Sequence, residues 1–397
     1  MTQDYRLSAM AVASCLGIGN DANAARLFTG TRDGLVPRDG YLPGRTAFVG
    51  AIPDVLPELP ARFSQHNSRN NRLLYALATD ISGDLQAAIS RYGAGRIAVI
   101  LGTSTSGIAE ADQAVAHYRR HDQWPDGFDY RLQETGSPAD FIASLLGITG
   151  PAYVVATACS SSAKVFASAR RLIAAGIVDA AVVGGADTLC RLTLAGFTSL
   201  EAMSDQRCNP FRQNRSGITI GEGGALFLME RGAGEINLLG IGETSDAHHI
   251  SAPEPEGRGA IAAMEAALAD AGLTAGDIAY VNLHGTATAL NDSMESRAVN
   301  GLFGSTVPCS STKAMTGHTL GAAGAVEAAF LWLTLSQGYN PDGRLPPQLG
   351  EGDYDPDLPP LALTDSRSRF GRAGTIAMLS NSFAFGGSNC ALVLGRR

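Results

Sequence analysis

Apolar residues along this 397-residue chain follow two rhythms. Short, nearly unbroken apolar runs bounded by Gly or small polar residues predict strands near 96–102, 152–157, 179–185, 223–230, 278–283, 374–380 and 389–394. Between them, apolar positions three and four residues apart predict helices near 69–92, 162–175, 258–271 and 320–336. Strands without polar alternation, interleaved with helices, call for an α/β sheet covered on both faces, in which reactive groups gather at the carboxyl ends of strands. No linker, low-complexity run or charge block marks a boundary. One compact unit of two closely packed halves is expected, divided into 1–235 and 236–397.

Candidate chemistry falls where these runs stop. In Val154-Val155-Ala156-Thr157-Ala158-Cys159-Ser160-Ser161-Ser162-Ala163-Lys164 a β-branched run gives way to small residues and then to a helical pattern. A sulfur at that junction lies beside unpaired backbone N–H groups and the positive end of the helix macrodipole, so Cys159 is expected to ionise easily. The competing reading is a small buried hydrophobe. Val281-Asn282-Leu283-His284-Gly285-Thr286-Ala287-Thr288 puts His284 at a second strand end. The segment from Ser310 to Gly324 delivers Lys313 in a loop and sets His318 where a helix of small residues begins. Two lysines, Lys164 and Lys313, stand among 30 basic residues. In a chain that otherwise writes arginine, a lysine marks a place where a compact ammonium on a flexible stem is wanted. Lys313 fits that description, whereas Lys164 is equally well read as a helix-face residue.

These segments resemble the β-ketoacyl-acyl-carrier-protein synthases of the elongating type, within the thiolase-like condensing enzymes. The matching residues are Thr157 to Ser160, Asn209-Pro210-Phe211, Gly221-Glu222-Gly223, His284 to Thr288, Lys313 to Gly324 and Asn381 to Asn389, in the family's order and at roughly its spacing. Ala158-Cys159-Ser160-Ser161-Ser162-Ala163 and Ser382-Phe383-Ala384-Phe385-Gly386-Gly387 are most similar to ketosynthases of aryl-polyene and related polyketide-type pathways. A housekeeping fatty-acid elongation synthase is the nearest alternative. A non-catalytic chain-length factor lacks the cysteine kept here, and a thiolase carries a second cysteine where this chain has Phe385.

The resemblance implies a five-layered α-β-α-β-α fold of two βαβαβαββ halves. It implies acylation of Cys159, decarboxylation of a malonyl thioester and Claisen condensation adding two carbons. His284 and His318 would hold the enolate oxygen, while backbone N–H groups of Cys159 and Phe385 would form the oxyanion hole. Lys313 and Glu327 would pair within the same constellation. Thr286 and Thr288 would bind the phosphopantetheine arm, and Phe211, Phe383, Phe385 and Ile108 would shape or gate the pocket. Three positions depart from the family's usual residues: Arg212 in place of Asp, Ala289 in place of Pro, and Ala384 in place of Gly, which would stiffen a hinge.

Composition narrows the class. The net charge of −8 argues against nucleic acid, and six scattered cysteines with no C-x-x-C pair indicate neither a zinc site nor a disulfide framework. No metal or organic cofactor is expected, since substrates arrive on the phosphopantetheine of an acyl-carrier protein. Met1–Gly19 is too weakly apolar for a signal peptide and no run reaches the length of a membrane span, so a cytoplasmic protein is expected. An acidic carrier protein calls for a basic patch, with Arg69, Arg72, Arg119, Arg120, Arg207, Arg212 and Arg215 as candidates. The resemblance also implies a dimer, either of two copies or with a chain-length-factor-like relative.

Overall fold

The computed structural model describes residues 4–371 and 374–396. Fifteen strands run in chain order as β1 (Tyr5–Ser14), β2 (Gly17–Ile18), β3 (Leu35–Leu42), β4 (Arg45–Gly50), β5 (Ile97–Gly102), β6 (Ala152–Val155), β7 (Ala180–Asp187), β8 (Ile220–Gly221), β9 (Gly223–Arg231), β10 (Ile236–Ser245), β11 (Ile278–Asn282), β12 (Pro308–Ser310), β13 (Ala362–Leu363), β14 (Ile376–Phe383) and β15 (Ser388–Arg396). They build two six-stranded sheets, ordered β2-β1-β9-β7-β5-β6 and β10-β15-β14-β11-β12-β13, plus a small sheet β3-β4-β8. In both large sheets the chain order β1, β5, β6, β7, β9 and its counterpart β10, β11, β12, β14, β15 occupy the same places. The same mixture recurs, with parallel pairs at one side and antiparallel pairs at the other.

Burial explains the layering. β5, β7 and β14 are buried at every position, as strands covered on both faces must be. Between the sheets lie the helices Ser161–Ala174 and Ala323–Leu335, whose Val165, Phe166, Val326 and Phe330 share one core with residues of both sheets. The helices Arg69–Asp80 and Ser137–Leu146 cover the outer face of the first sheet, and Arg258–Ala271 with Ala289–Phe303 cover that of the second. The result is the expected α-β-α-β-α stack. Ala323–Leu335 is apolar all round, with Trp332 its one residue not fully buried, which is what a middle layer demands.

All seven expected strands and four helical regions are present, with differences at particular places. The region 69–92 is two helices, because Ile81 leaves helical geometry (φ −109°, ψ 21°) just before Ser82-Gly83 and starts a second helix, Ser82–Tyr92. The expected helix 320–336 opens as a 3-10 turn at Leu320–Ala322. Two long strands were not expected. β1 lies in the stretch read as a broken apolar start, of which residues 1–3 fall outside the described residues, and β10 is interrupted by Gly240 and Gly242.

Those glycines have a steric cause. A Cβ on Gly242 would lie 1.8 Å from the Ala263 carbonyl oxygen and one on Gly240 2.1 Å from that of Ala267, so the backbone of helix Arg258–Ala271 rests directly on β10. Gly242→Ala should therefore force helix and strand apart and cost about 1–3 kcal/mol. A lowered thermal midpoint is expected, and an unchanged one would show that the helix can shift freely.

Candidate active site

Cys159 sits in the turn joining β6 to the helix Ser161–Ala174, directly before its first residues. Ala158 takes a left-handed backbone (φ 50°), uncommon for a residue with a side chain, and this bends the chain so that the sulfur faces inward. Ser161 Oγ donates to the Ala158 carbonyl and accepts from Thr157 N–H at 2.9 Å, holding the turn. Beneath it the helix is pressed into the fold: a Cβ on Gly324 would lie 2.6 Å from Ala163 N, and Ala325 N–H donates to Ser162 Oγ at 2.9 Å. The first turns of the two middle-layer helices thus begin side by side.

That adjacency brings distant residues together. His318 Nε2 lies 3.0 Å from Cys159 Sγ, and the His284 ring stands perpendicular to that of His318 at 5.3 Å between centroids. Lys313 Nζ is 3.3 Å from His284 Nδ1 and forms an ion pair with Glu327, the two side chains being 2% and 3% exposed. An ammonium can only donate, so His284 Nδ1 accepts and its ring proton is placed on Nε2. Burial, with Lys313 close by, holds both imidazoles well below their ordinary pKa and therefore neutral. Burial also pushes Glu327 up to about 7, against the pull of Lys313.

The sulfur behaves differently from expectation. Desolvation pushes the Cys159 thiol up to about 11, although Lys313 and the backbone N–H of Phe385 pull it down. The helix N-terminus alone does not produce a resting thiolate in so dry a place. The N–H of Phe385, aimed at the sulfur, belongs to a turn in which Gly386 and Gly387 have φ of 84° and 73°. Ala384 itself has no positive φ, so its backbone does not require glycine.

A cavity of about 350 Å³ opens onto this group. Cys159, His284, His318, Thr286, Thr288, Phe383 and Phe385 are all in its walls. Phe211 and Ile108 are not. Phe211 is sunk in the outer core of the second sheet, where its ring would block a side chain on Gly285, and Ile108 begins a helix elsewhere. Lys164, one turn beyond Cys159, is not in the walls either. Thr288 has a structural task, since its side chain caps helix Ala289–Phe303 by accepting from Asn291 N–H. Sγ of Cys159 and one ring nitrogen from each histidine lie within 4.8 Å of one another, a donor set a soft divalent ion could use, but the Lys313 ammonium would oppose a second cation there.

Three buried carboxylates escaped the sequence reading. Glu295 accepts the backbone N–H groups of His284 and Gly285 at 2.7 and 2.6 Å, and Asp292 accepts those of Phe211 and Ala287, so one helix fixes the histidine loop. Burial raises both, Glu295 to about 7 and Asp292 to about 6. Asp187 at the end of β7 ties Thr103, Ser104 and Thr105 to the Ala322 N–H ahead of the second middle helix. A usable signal was the pair of acids three apart in Asn291-Asp292-Ser293-Met294-Glu295, immediately after the histidine segment. Of the seven arginines offered for docking, Arg69 pairs with Glu222, Arg72 with Glu58 and Arg215 with Asp355, while Arg207 bonds the Leu35 carbonyl.

Two stacked sheets around two middle helices, with a cysteine ahead of one and a histidine ahead of the other, define a thiolase-like condensing enzyme. Residues 65–233 match the beta-ketoacyl synthase N-terminal domain and 236–344 its C-terminal domain, and the chain belongs to the β-ketoacyl synthase family. It is an acyltransferase of the 3-oxoacyl-acyl-carrier-protein synthase class. It is 30% identical to 3-oxoacyl-[acyl-carrier-protein] synthase 2 of Staphylococcus aureus over 99% of both chains, and 40% identical to the Rhizobium meliloti protein of that name over 63% of this chain and 62% of that one. Among solved structures, the ketosynthase ApeO of Xenorhabdus doucetiae, seen with its chain length factor ApeC, is 47% identical at a TM-score of 0.93, covering 100% of this chain and 98% of that one. The ishigamide ketosynthase/chain length factor is 27% identical at a TM-score of 0.87, covering all of both chains. No helix among the described residues is long and apolar enough to cross a membrane.

Histidines buried neutral make stability depend on pH. Their folded pKa lies below the unfolded value, so as pH falls below about 6.5 the unfolded chain takes up protons that the folded one refuses, and stability is lost. Glu295 and Glu327 act in the opposite sense below about 7, so a comparison with a variant isolates the imidazole. Between about pH 6.5 and pH 5, His284→Gln should lose stability less steeply than the parent, by about 1.4 kcal/mol per pH unit. Parallel curves in denaturant melts across that range would show that the ring charges freely when folded.

Proposed function

We propose that this chain elongates carrier-bound acyl groups with Cys159 as the nucleophile, in an aryl-polyene or related polyketide-type pathway. The observation that carries the reading is one sulfur and two neutral imidazoles facing a single cavity, with His318 Nε2 at 3.0 Å from Cys159 Sγ. In the first half-reaction the sulfur attacks the acyl thioester and the carrier's sulfur departs. The thiol proton ends on that departing sulfur, so the thioester exchange is neutral overall. The products are an acyl-Cys159 thioester and a free carrier thiol.

In the second half-reaction a malonyl thioester loses carbon dioxide, and the electron pair of the broken bond becomes an enolate. Nε2–H groups of His284 and His318 meet its oxygen, a task that requires the imidazoles to be neutral, as burial makes them. The enolate carbon attacks the acyl-Cys159 carbonyl. The tetrahedral oxyanion is received by the backbone N–H groups of Cys159 and Phe385, and its collapse expels the Cys159 sulfur as a thiolate, which regains its proton from solvent, and leaves a chain two carbons longer on the carrier. Lys313 and Glu327 orient His284 through its Nδ1. Thr286 and Thr288 line the route of the phosphopantetheine arm, and Phe385, packed 5.5 Å from Phe197, is the gate.

The pathway and the partner rest on the 47% identity to ApeO, a ketosynthase whose structure includes a chain length factor. This chain accordingly pairs with a relative of that kind, as one unit of two halves divided near residue 235. No metal or organic cofactor takes part in this scheme, and the protein works in the cytoplasm.

Intact-mass measurement after incubation with acyl-carrier proteins of varied chain length and unsaturation tests the reading. The parent should gain the acyl mass, with polyunsaturated chains preferred. Cys159→Ala should gain none yet still decarboxylate malonyl carrier, and acylation of that variant would move the nucleophile elsewhere. His318→Ala should form acyl-Cys159 but lose decarboxylation by about two orders of magnitude or more. Decarboxylation at the parental rate would remove His318 from the enolate site.

A further inference from the structure

We propose that Asp187 is a positioning residue for the condensation step, a buried anion that ties the turn after His318 to the first half of the chain and so holds that imidazole against the Cys159 sulfur. The inference rests on the reading of Cys159 as acyl acceptor and His318 as enolate donor. Asp187 ends β7 and is fully buried. Its Oδ1 accepts the backbone N–H groups of Ser104 and Thr105, both at 2.8 Å, and the hydroxyls of Thr103 at 2.6 Å and Thr105 at 2.7 Å. Its Oδ2 accepts the Ala322 N–H at 3.1 Å, from the other half of the chain. A backbone N–H can only donate. The Thr105 hydroxyl accepts the Thr188 N–H at 3.1 Å, which leaves its own proton for Asp187. Burial pushes this carboxyl upward in pKa, but five donors aimed at its oxygens hold it as an anion.

The turn it grips does not hold itself. His318 N–H donates to the Thr219 carbonyl at 2.7 Å and the His318 carbonyl accepts the Gly221 N–H at 2.9 Å, which anchors the histidine from one side. Two residues on, Leu320 takes a left-handed backbone (φ 52°), a conformation that persists only where the surroundings impose it. The Ala322 N–H, shared between Asp187 and the Thr319 carbonyl at 3.0 Å, is the anchor on the other side. There the loop after β5 closes on the turn without room for a side chain: a Cβ on Gly321 would lie 2.6 Å from Ser104 Oγ, 2.8 Å from Ser104 N and 2.9 Å from Asp187 Oδ2. The charge acts as well as the contacts. Asp187 pushes the Cys159 thiol up while Lys313 pulls it down, and His284 and His318, the imidazoles facing the sulfur, are neutral. One carboxylate thus fixes a ring through its hydrogen bonds and helps to keep the neighbouring thiol protonated through its charge.

The test uses the full-length chain and two variants. Asp187→Asn keeps an oxygen for the loop after β5 but turns an amide N–H toward that of Ala322, whereas Gly321→Ala wedges the turn off the carboxylate and leaves the charge in place. Both should keep the rate of Cys159 acylation, read by intact mass, within about threefold of the parent, while malonyl-carrier decarboxylation falls about tenfold or more. Iodoacetamide labelling of Cys159 separates charge from contact, because only the thiolate reacts. In Asp187→Asn, labelling at about pH 8 should be faster by about threefold or more, with the gain shrinking toward about pH 11, where the parent thiol itself ionises. Gly321→Ala should follow the parental profile. Equal gains at every pH in Asp187→Asn, parental decarboxylation in both variants, or acylation and decarboxylation falling together with the thermal midpoint would each overturn the proposal and leave Asp187 a purely structural group. Should Asp187→Asn not fold, the split between acylation and decarboxylation in Gly321→Ala decides alone. A parent that takes up no acyl mass would defeat the reading of Cys159, while the labelling profiles, which need no acyl substrate, would still decide the role of Asp187.

Discussion

The side-by-side start of the two middle-layer helices is the contact on which the rest of this protein depends. Gly324 lies against Ala163 and Ala325 N–H reaches Ser162 Oγ, so the helices meet through their first turns with almost no side-chain bulk between them. Whatever precedes each helix is thereby brought to one place. Cys159 precedes the first and His318 the second, and 159 residues of chain separate partners that end 3.0 Å apart.

Burial then sets the electrostatic character of the group. The same desolvation that raises the thiol lowers both imidazoles, because in each case the charged form is the one that loses water. Lys313 and Glu327 are tolerated at 2% and 3% exposure because they neutralise each other. The ammonium has a second consequence, since it occupies His284 Nδ1 and leaves the opposite ring nitrogen as a donor toward the cavity. Outside this cluster, Glu295 and Asp292 hold the His284 loop through its backbone, so the ring is positioned by its own chain and not by side-chain packing alone.

Two sheets of matching strand order explain how one chain gathers these groups. Each half ends its parallel strands on the same side of the molecule, so the loops after β6, β11 and β12 converge. The first supplies the sulfur, the second His284, and the third Lys313 and His318. The turn after β14 adds the Phe385 N–H.

Much of this was written in local pattern. Buried strands such as β5, β7 and β14 read as apolar runs because both faces are covered, and Cys159, His284, Lys313 and His318 stood out by lying where such runs stop. Elements whose pattern is shaped by a distant neighbour were not legible. β10 carries glycines that only the helix Arg258–Ala271 explains, and Asn291, Asp292 and Glu295 make helix Ala289–Phe303 look polar although the loop they hold buries all three. Phe211 was misplaced for the same reason, as its ring faces the core and not the cavity. Residue order and type marked the buried strands, four of the helical regions and the candidate reactive groups, because these follow from periodicity and from local backbone chemistry. Only the packed structure decided that the thiol is protonated at rest, that the imidazoles are neutral and that three of the seven candidate arginines are already ion-paired, because desolvation and partner choice are properties of the surroundings and not of the residue.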